Sequence, residues 1–343
     1  MKSQFIQRDA SAPRRRRLLK LAALPLMSSV GLGAARAQAQ ARAWPEAQPI
    51  RFVVGYPAGQ STDVIARRFA AVMSAELGQT IWVENRPGAN GILGTRIAMR
   101  SAPDGYTVLF GGMAQLAINP GLYKNLGYDP LSDFAPVGLV VTAPVYLVAH
   151  PSFPANNVQE LIAYARARPG AVDYASGGIG IGAHLAMELL QLTAGIKLHH
   201  IPYNGSPAAL NDVMGGRIGL AMDAGTATMP HVQAGRLKAL GSAGATRASA
   251  FPDVPTIAEQ GLPGFSVSGW NAMMVPAGTP QPVIEALNAA MRKACTDPQL
   301  VAALRSAAAV ECTPTSPAEF GAFLDKEIKK WGAAIRSANV QVE

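Results

Sequence analysis

The chain has 343 residues and a formal net charge of +8, but most of that positive charge lies at its start. Eight of the 30 basic residues and only one of the 22 acidic residues fall within the first 41 positions, so the remainder is close to neutral. Those roughly 300 residues are enough for two α/β lobes with cores of their own, and they carry no basic face with interleaved aromatic residues, which argues against a nucleic-acid partner.

Residues 1–41 have the pattern of an export signal. The run Arg15-Arg16-Arg17-Leu18-Leu19-Lys20 fits a twin-arginine signal, and Leu21–Ala35 supplies its apolar core. That apolar run is short and is interrupted by proline and glycine, which argues against a transmembrane anchor. We therefore predict export, with cleavage after Ala37, Ala39 or Ala41.

The stretch Ile50–Arg68 is where we expect the binding chemistry. An apolar strand, Ile50–Val54, ends at a loop containing proline and glycine, and a helix over Thr62–Leu77 follows. We expect Ser61 or Thr62 to cap this helix. A helix that opens directly after a strand presents unpaired N–H groups and the positive end of its dipole, so the sequence predicts a site for a carboxylate or phosphate.

Strands and helices continue to alternate beyond this helix. The first run predicts strand Thr80–Glu84, helix Ile92–Arg100 and strand Tyr106–Phe110, with the loops Asn85–Gly91 and Gly111–Asn119 after two of the strands. Strands separated by helices predict a parallel sheet with right-handed crossovers. These loops should therefore emerge on the same edge as the loop before the first helix.

A second alternating run follows a strand-rich crossing at residues 128–150. Its predicted elements are, in order, Val145–Ala149, Val158–Arg168, Val172–Ala175, Ala183–Ala194, Lys197–Ile201, Ser206–Gly215, Ile218–Met222, Thr226–Ala234 and Leu237–Ser242. The chain then returns near Ala243–Phe251, and a long strand, Phe265–Val275, precedes helices at Pro282–Ala294, Pro298–Ala307 and Pro317–Ser337.

This order predicts an α/β fold of two doubly wound lobes joined by two crossing strands. Lobe 1 comprises residues 42–142 and 244–343, and lobe 2 comprises residues 143–243. Ligands of doubly wound sheets bind beyond the carboxyl ends of the strands, so the loops of both lobes should face one cleft that a hinge motion closes.

Short motifs are distributed over the whole of the mature chain. They are Tyr56-Pro57-Ala58-Gly59 with Ser61-Thr62-Asp63, Val83–Ala89, Pro103–Thr107, Tyr174–Ser176, Ile201–Tyr203 and Pro252–Thr256. In this order they resemble the periplasmic solute receptors of tripartite tricarboxylate transporters, the Bug family. The resemblance implies a type II periplasmic-binding-protein fold in the periplasm, without catalytic activity or cofactor. It also implies capture of a small organic acid or related solute for delivery to membrane permease subunits, and we expect a monomer.

The resemblance also assigns the site residues. In the family, the loop after the first strand holds a carboxylate mostly by main-chain N–H and hydroxyl groups, and the second lobe closes over it with a Ser/Gly loop and the following helix start. The candidates here are Tyr56, Ala58, Gly59, Gln60, Ser61, Thr62, Asp63, Ala114, Gln115, Ser176, Gly177, Gly180, His184, Tyr203 and Asp223. Gln60 stands where many members have a second glycine, and Tyr56 where phenylalanine is frequent, so the preferred ligand is expected to differ from the family's usual one.

Three alternatives remain open. Ser61 with Asp63 could serve an exported serine hydrolase, although no Gly-x-Ser-x-Gly elbow surrounds Ser61 and no histidine is fixed nearby by spacing. Gly178–Ala183 fits a dinucleotide-binding pattern, but no acidic residue for a ribose follows the next strand. The receptor could also serve a sensor rather than a permease.

Several individual residues allow two interpretations each. His199 and His200 are adjacent on a strand, point to opposite faces and do not favour a shared metal ion. His184 can contact ligand or support the loop by a hydrogen bond. Tyr203 can contact ligand or belong to a turn. Trp270 and Asn271 are interpreted as packing and hinge residues, and Cys295 and Cys312 either form a disulfide or stay as two buried thiols.

Overall fold

The computed structural model describes residues 44–308, 310–337 and 339–340. The predicted export signal at residues 1–41 lies outside the described residues. The described residues belong to one compact unit. In the part of the chain that the structure describes, no helix combines the length and the apolar character that a membrane crossing requires.

Ten strands and ten α-helices of the described residues alternate much as predicted. The strands are β1 Ile50–Val54, β2 Ile81–Asn85, β3 Thr107–Gly112, β4 Phe134–Ala149, β5 Asp173–Ser176, β6 His199–Pro202, β7 Leu220–Ala224, β8 Lys238–Ser242, β9 Ser268–Pro276 and β10 Glu311–Cys312. The helices are α1 Ser61–Leu77, α2 Ile92–Met99, α3 Asn119–Leu122, α4 Val158–Arg166, α5 Gly182–Ala194, α6 Ser206–Met214, α7 Gly225–Gln233, α8 Gln281–Ala294, α9 Pro298–Ala308 and α10 Pro317–Ser337.

The sheet has two parallel halves joined by antiparallel crossing strands. Its order is β2-β1-β3-β9-β4-β7-β5-β6. In one half β1 pairs in parallel with β2 and β3, and in the other half β5 pairs in parallel with β6 and β7. The 16-residue strand β4 belongs to both halves, because its first part pairs with β9 and its last part with β7 and β8. The parallel-sheet prediction is confirmed, and the helices that follow the parallel strands start at their carboxyl edges.

The hydrophobic core differs from the expectation of one separate core for each lobe. One buried cluster is continuous through both halves and includes Leu116, Leu185 and Trp331, while a second and a third cluster cover the outer faces. The reason is α10, whose apolar face packs on β4, on the segment after β3 and on α5. Burying a large side chain such as Trp331 stabilises the fold by about 1.5–3 kcal/mol.

Two local predictions near the binding loops are wrong. The loop expected at Gly111–Asn119 is instead a π-helical turn over Ala114–Ile118 that leads into α3. Neither Ser61 nor Thr62 caps the first helix, because α1 begins at Ser61 itself and the preceding residue, Gln60, makes no side-chain capping bond. The N–H groups of the first turn of α1 are thus left for another partner.

Candidate functional site

Asp63 fixes the loop that leads into α1. Its carboxylate accepts hydrogen bonds from the Gly59 N–H at 2.8 Å, from Asn85 Nδ2 at 2.8 Å and from Arg67 Nε at 3.1 Å. Burial raises the pKa of this carboxyl, but the hydrogen bonds from Arg67, Gly59 and Asn85 outweigh burial and lower the pKa below its usual value. Asp63 is only 1% exposed and is bonded by these three donors, so it shapes the loop from behind.

The exposed side of that loop carries the candidate anion site. Ala58, Gly59, Gln60 and Ser61 are all exposed, and Gly59 has a φ of +84°, a conformation that glycine adopts without strain. The chain therefore turns tightly and presents the free N–H groups of the first turn of α1 to the surface.

A pocket of about 190 Å³ lies directly beside this helix start. Its polar edge is formed by Tyr56, Ser61, Thr62 and Asn271, and none of the described residues that line it is a lysine or an arginine. Burial raises the pKa of Tyr56, so its phenol stays neutral. A neutral, partly apolar pocket at the positive end of a helix suits an anion held by N–H and hydroxyl donors.

Asn271 is a pocket residue that the sequence analysis interpreted only as packing or hinge. Its Nδ2 donates to Thr62 Oγ1 at 3.2 Å and to the Gly111 carbonyl at 3.3 Å. β9 pairs antiparallel with β3 and places Asn271 opposite Gly112. A Cβ added to Gly112 would lie 2.9 Å from Asn271 Nδ2. The sequence signal was an amide side chain between apolar neighbours, Trp270 and Ala272.

Gln115 lies behind the pocket wall. Its side chain is fully buried, accepts a hydrogen bond from the Gly112 N–H at 3.2 Å and donates to Thr95 Oγ1 at 3.1 Å. A direct contact between Gln115 and a ligand would require these bonds to break. The neighbouring Ala114 is half-buried at the start of the π-helical turn.

The second lobe presents a glycine-rich loop between β5 and α5. Ser176 is 2% exposed, and its Oγ accepts from the Gly178 N–H at 3.2 Å and lies 2.6 Å from His200 Nε2. Gly177 packs so closely on the next loop that a Cβ would lie 2.6 Å from the Ser206 amide nitrogen. The Ser176 side chain therefore holds the loop, and the carbonyls of Ser176 and Gly177 accept hydrogen bonds from the N–H groups of Tyr203 and Gly205.

His184 supports the same loop from the first turn of α5. Its Nδ1 accepts from the Gly180 N–H at 3.0 Å, and its ring stacks on His200 with 4.0 Å between the ring centroids. Burial lowers the pKa of both His184 and His200 to about 4, so both rings are neutral near pH 7. Of the two roles predicted for His184, the structure shows the supporting hydrogen bond, and a direct ligand contact stays a prediction.

His199 and His200 point to opposite faces of β6, as the alternation of a strand requires. His199 is exposed and its Nδ1 lies 2.8 Å from Asp173 Oδ1, whereas His200 stacks on His184 and Tyr174. The two rings therefore lie in different environments. His200 is a second residue whose support of the glycine-rich loop was not predicted.

Tyr203 directly follows β6, and Asp223, expected on a loop, instead lies near the end of β7. The Tyr203 hydroxyl donates to Asp212 Oδ2 at 2.6 Å, which ties it to α6. Burial raises the pKa of the Asp223 carboxyl, although hydrogen bonds from Ser206 and the Ala224 N–H oppose the rise. Asp223 is therefore the acidic group on the carboxyl edge of lobe 2, next to the starts of α6 and α7.

Four helix starts share the carboxyl edges of the two sheet halves. The helices α1, α5, α6 and α7 all lack a side-chain cap, since the residues before them are Gln60, Ile181, Gly205 and Ala224. The two lobes approach each other there, because a Cβ on Gly182 would lie 2.8 Å from the Met113 Cε of lobe 1. The structure thus brings the start of α5 next to Met113, which also lines the pocket beside α1.

A larger surface groove of about 770 Å³ lies at the other edge of lobe 2. It is lined by the ends of α4 and α5 and by residues before β6, including Arg166, Leu192 and Lys197. The C-terminal ends of α4 and α5 face this groove, so their dipoles disfavour an anion, and Arg166 is already bonded to the Ala194 carbonyl at the end of α5. Its size alone does not make it the better candidate.

Comparison with known proteins identifies relatives over most of the chain. Residues 65–340 match the family described as tripartite tricarboxylate transporter family receptor, TctC. Protein BugT of Bordetella pertussis is 36% identical over 298 residues, which cover 87% of this chain and 91% of BugT.

Two solved structures of Rhodopseudomonas palustris proteins carry bound carboxylates. Rpa4515 with adipate is 32% identical, with a TM-score of 0.70 over 87% of this chain and 99% of that chain. MatC with bound malate is 30% identical, with a TM-score of 0.66 over 84% of this chain and 99% of that chain. These similarities confirm the predicted periplasmic-binding-protein fold.

Proposed function

The chain belongs to the TctC family of tripartite tricarboxylate transporter receptors, and from that membership we propose that it captures a small carboxylate-bearing solute at the start of α1. The observation that carries the proposal is the uncapped first turn of α1 beside a pocket whose described lining has no cationic side chain. A carboxylate placed there would accept hydrogen bonds from main-chain N–H groups and from the hydroxyls of Ser61 and Thr62.

The rest of the pocket supports this assignment. Asn271 Nδ2 donates to Thr62 Oγ1, so it holds the Thr62 hydroxyl in place and leaves the hydroxyl proton available for an acceptor. Asp63 is paired with Arg67 at 3.0 Å, so its negative charge is offset by a cation within the same helix. The second lobe would add the Asp223 region and the glycine-rich loop Ser176–Gly182, which His184 and His200 hold by hydrogen bonds.

The carboxylates in two related structures support the ligand class. Adipate and malate are both dicarboxylates, and the proteins that hold them are 30–32% identical to this chain. We therefore expect a dicarboxylate or a similar organic acid here, with Gln60 and Tyr56 adjusting the choice. The exported receptor would then hand its ligand to a permease of the tripartite tricarboxylate type.

A thermal-shift screen tests the proposal. Dicarboxylates, monocarboxylates, aromatic acids and the corresponding amides would be added to the purified protein, and at least one acid should raise the melting temperature, because a ligand that binds only the folded state stabilises it. The matching amide should raise it less. If amides or sugars stabilise the protein and no acid does, the proposal is wrong.

The pocket assignment is tested with single hydroxyl deletions. Thr62→Ala and Ser61→Ala should each weaken binding of the best acid by about 1–3 kcal/mol, while the melting temperature without ligand changes little. Thr193→Ala is the matched control, because its hydroxyl bonds within α5 and lies far from the carboxyl edge. Unchanged binding in both Ser61→Ala and Thr62→Ala would place the ligand elsewhere.

A further inference from the structure

The two cysteines of the chain are brought to the same point on strand β4. Cys295 directly follows the last residue of α8, and Cys312 lies on β10 opposite Val141 of β4. The Cys295 thiol donates to the Val140 carbonyl at 3.8 Å, and the same carbonyl accepts the N–H of Thr313, the residue after Cys312, at 3.1 Å. The two thiols therefore lie side by side over two consecutive residues of β4.

The surroundings of the thiols leave them reactive towards each other. Both side chains are half-buried and pack on the same apolar cluster. The proximity of the two thiols makes their ionisation interdependent, since the pKa of Cys295 is raised and that of Cys312 is lowered by the neighbouring thiol. The sequence contains two cysteines in total, so neither thiol has a competing partner within the chain.

A disulfide would fix the segment around Cys312, and this segment lies beside the proposed binding pocket. Val310 lines the pocket together with Ser61 and Thr62, and Glu311 accepts hydrogen bonds from Ser249 on the returning segment. β10 itself has only two residues, so few backbone bonds hold it on β4. A covalent link at Cys312 would hold Val310 against the pocket wall.

We propose that Cys295 and Cys312 form an intramolecular disulfide that fixes β10 on β4 beside the binding pocket. The oxidant is the disulfide of a thiol–disulfide exchange partner. The Cys312 thiolate attacks one sulfur of that disulfide and expels its other sulfur as a thiolate. The Cys295 thiolate then attacks the Cys312 sulfur and expels the second thiolate of the partner. Two electrons pass to the oxidant, and its two thiolates take up the two protons that the cysteines release, so the oxidant becomes a dithiol.

Formation of this bond in the cell depends on the proposed export, since a reducing cytosol would keep both thiols free. The test therefore begins with purified, reduced protein in a buffer of oxidised and reduced glutathione. We expect both thiols to disappear together, with a mass lower by two hydrogens and no change in the size of the particle. The closed loop should raise the melting temperature by about 5 °C and slow amide exchange at Thr313.

Cys295→Ser and Cys312→Ser are the matched controls, because each keeps the side-chain size and leaves one thiol. Neither should show the rise in melting temperature, and each should carry a bound glutathione instead. A wild-type protein that keeps free thiols, accumulates glutathione adducts or forms disulfides between chains in the same buffer would overturn the proposal, whether or not the chain is exported.

Alkylation of thiols in cells that produce the full chain then separates the two proposals. Alkylated cysteines in a chain that retains its first 41 residues would contradict export and leave the glutathione result standing. Alkylated cysteines in a chain that has lost its first 41 residues would show that the disulfide does not form after export. This result would overturn the disulfide proposal.

Discussion

Asp63, Gln115 and His184 use polar side chains to fix backbone groups of the binding loops. Each accepts a hydrogen bond from a main-chain N–H, of Gly59, Gly112 and Gly180 respectively. Buried acceptors of this kind hold flexible glycine segments in one conformation, which lowers the entropy that binding has to overcome. The residues that support the loops are therefore as important to binding as those that face the ligand.

The buried histidine pair predicts a specific dependence of stability on pH. The pKa of His184 and His200 is about 4 in the folded protein and about 6.5 in the unfolded chain, so the unfolded chain takes up protons first as the pH falls. Their stabilising contribution is complete above pH 6.5 and is lost as the pH falls towards 4, by about 3 kcal/mol for His184 alone. The groups that face His184 are His200, Tyr174 and Glu188, and Glu188 Oε1 lies 3.7 Å from its Nε2.

Denaturant unfolding between pH 4 and 7 measures this effect. His184→Gln should reduce the slope of the free energy of unfolding against pH, whatever its effect on stability at pH 7. Thr193→Ala is the matched control, because it lies on the same helix, carries no titratable group and should leave the slope in this window nearly unchanged. An equal slope in wild type and His184→Gln would show that the ring is not kept neutral by burial.

At the scale of the element, the starts of α1 and α5 are the parts of the two lobes that approach each other. Gly182 leaves room for Met113 of lobe 1, and a larger side chain there would push the flexible end of Met113 away or hold the lobes apart. Close approach of the lobes is what buries a ligand in a hinged cleft. The contact between Met113 and Gly182 is therefore expected to limit closure.

Gly182→Val should weaken binding of the best acid from the screen by about tenfold, because overpacking at this contact opposes closure. The double variant Gly182→Val with Met113→Ala should regain most of that affinity. Titration calorimetry of the single and double variants measures both effects. If Gly182→Val binds normally, or if Met113→Ala does not restore binding, the lobes do not close through this contact.

The order of these elements was predictable from the sequence, and their contacts were not. The alternation of apolar runs and helical repeats predicted the bounds of β1, of α1 and of the strands and helices of lobe 2 to within a few residues, because each pattern is local. The π-helical turn at Ala114–Ile118 and the pocket position of Asn271 depend on the pairing of β3 with β9, which are far apart in the chain. Likewise, the sequence showed that Gln115 and His184 are polar but not which way they face.

At the scale of the whole molecule, α10 joins the two lobes into one core. Trp331 is fully buried in the cluster that extends through both halves, and its Nε1 donates to Glu327 Oε2 at 3.0 Å. Glu327 also accepts from Trp270 on β9 at 3.3 Å. The last helix is therefore tied both to a crossing strand and to lobe 2, and the lobes should unfold together.

Trp331→Ala is expected to lower the free energy of unfolding by about 3–5 kcal/mol and to keep a single transition in calorimetry. The matched control is Trp82→Ala, because Trp82 is 45% exposed and its loss should change stability by about 0.5 kcal/mol or less. Two separate melting transitions in the wild type would contradict a shared core.

The central claim is that main-chain N–H groups at the start of α1 hold the carboxylate, and Ser61 allows a direct test. Ser61 is the first residue of the helix, where proline is well tolerated, and Gln60 before it has the extended conformation that precedes a proline. Ser61→Pro therefore removes the N–H and the hydroxyl, while Ser61→Ala removes the hydroxyl alone.

Titration of both variants with the best acid of the screen is the decisive measurement. We predict that Ser61→Pro binds about tenfold or more weakly than Ser61→Ala, with equal melting temperatures in the absence of ligand. Equal affinities of the two variants would contradict the claim that this backbone N–H binds the ligand.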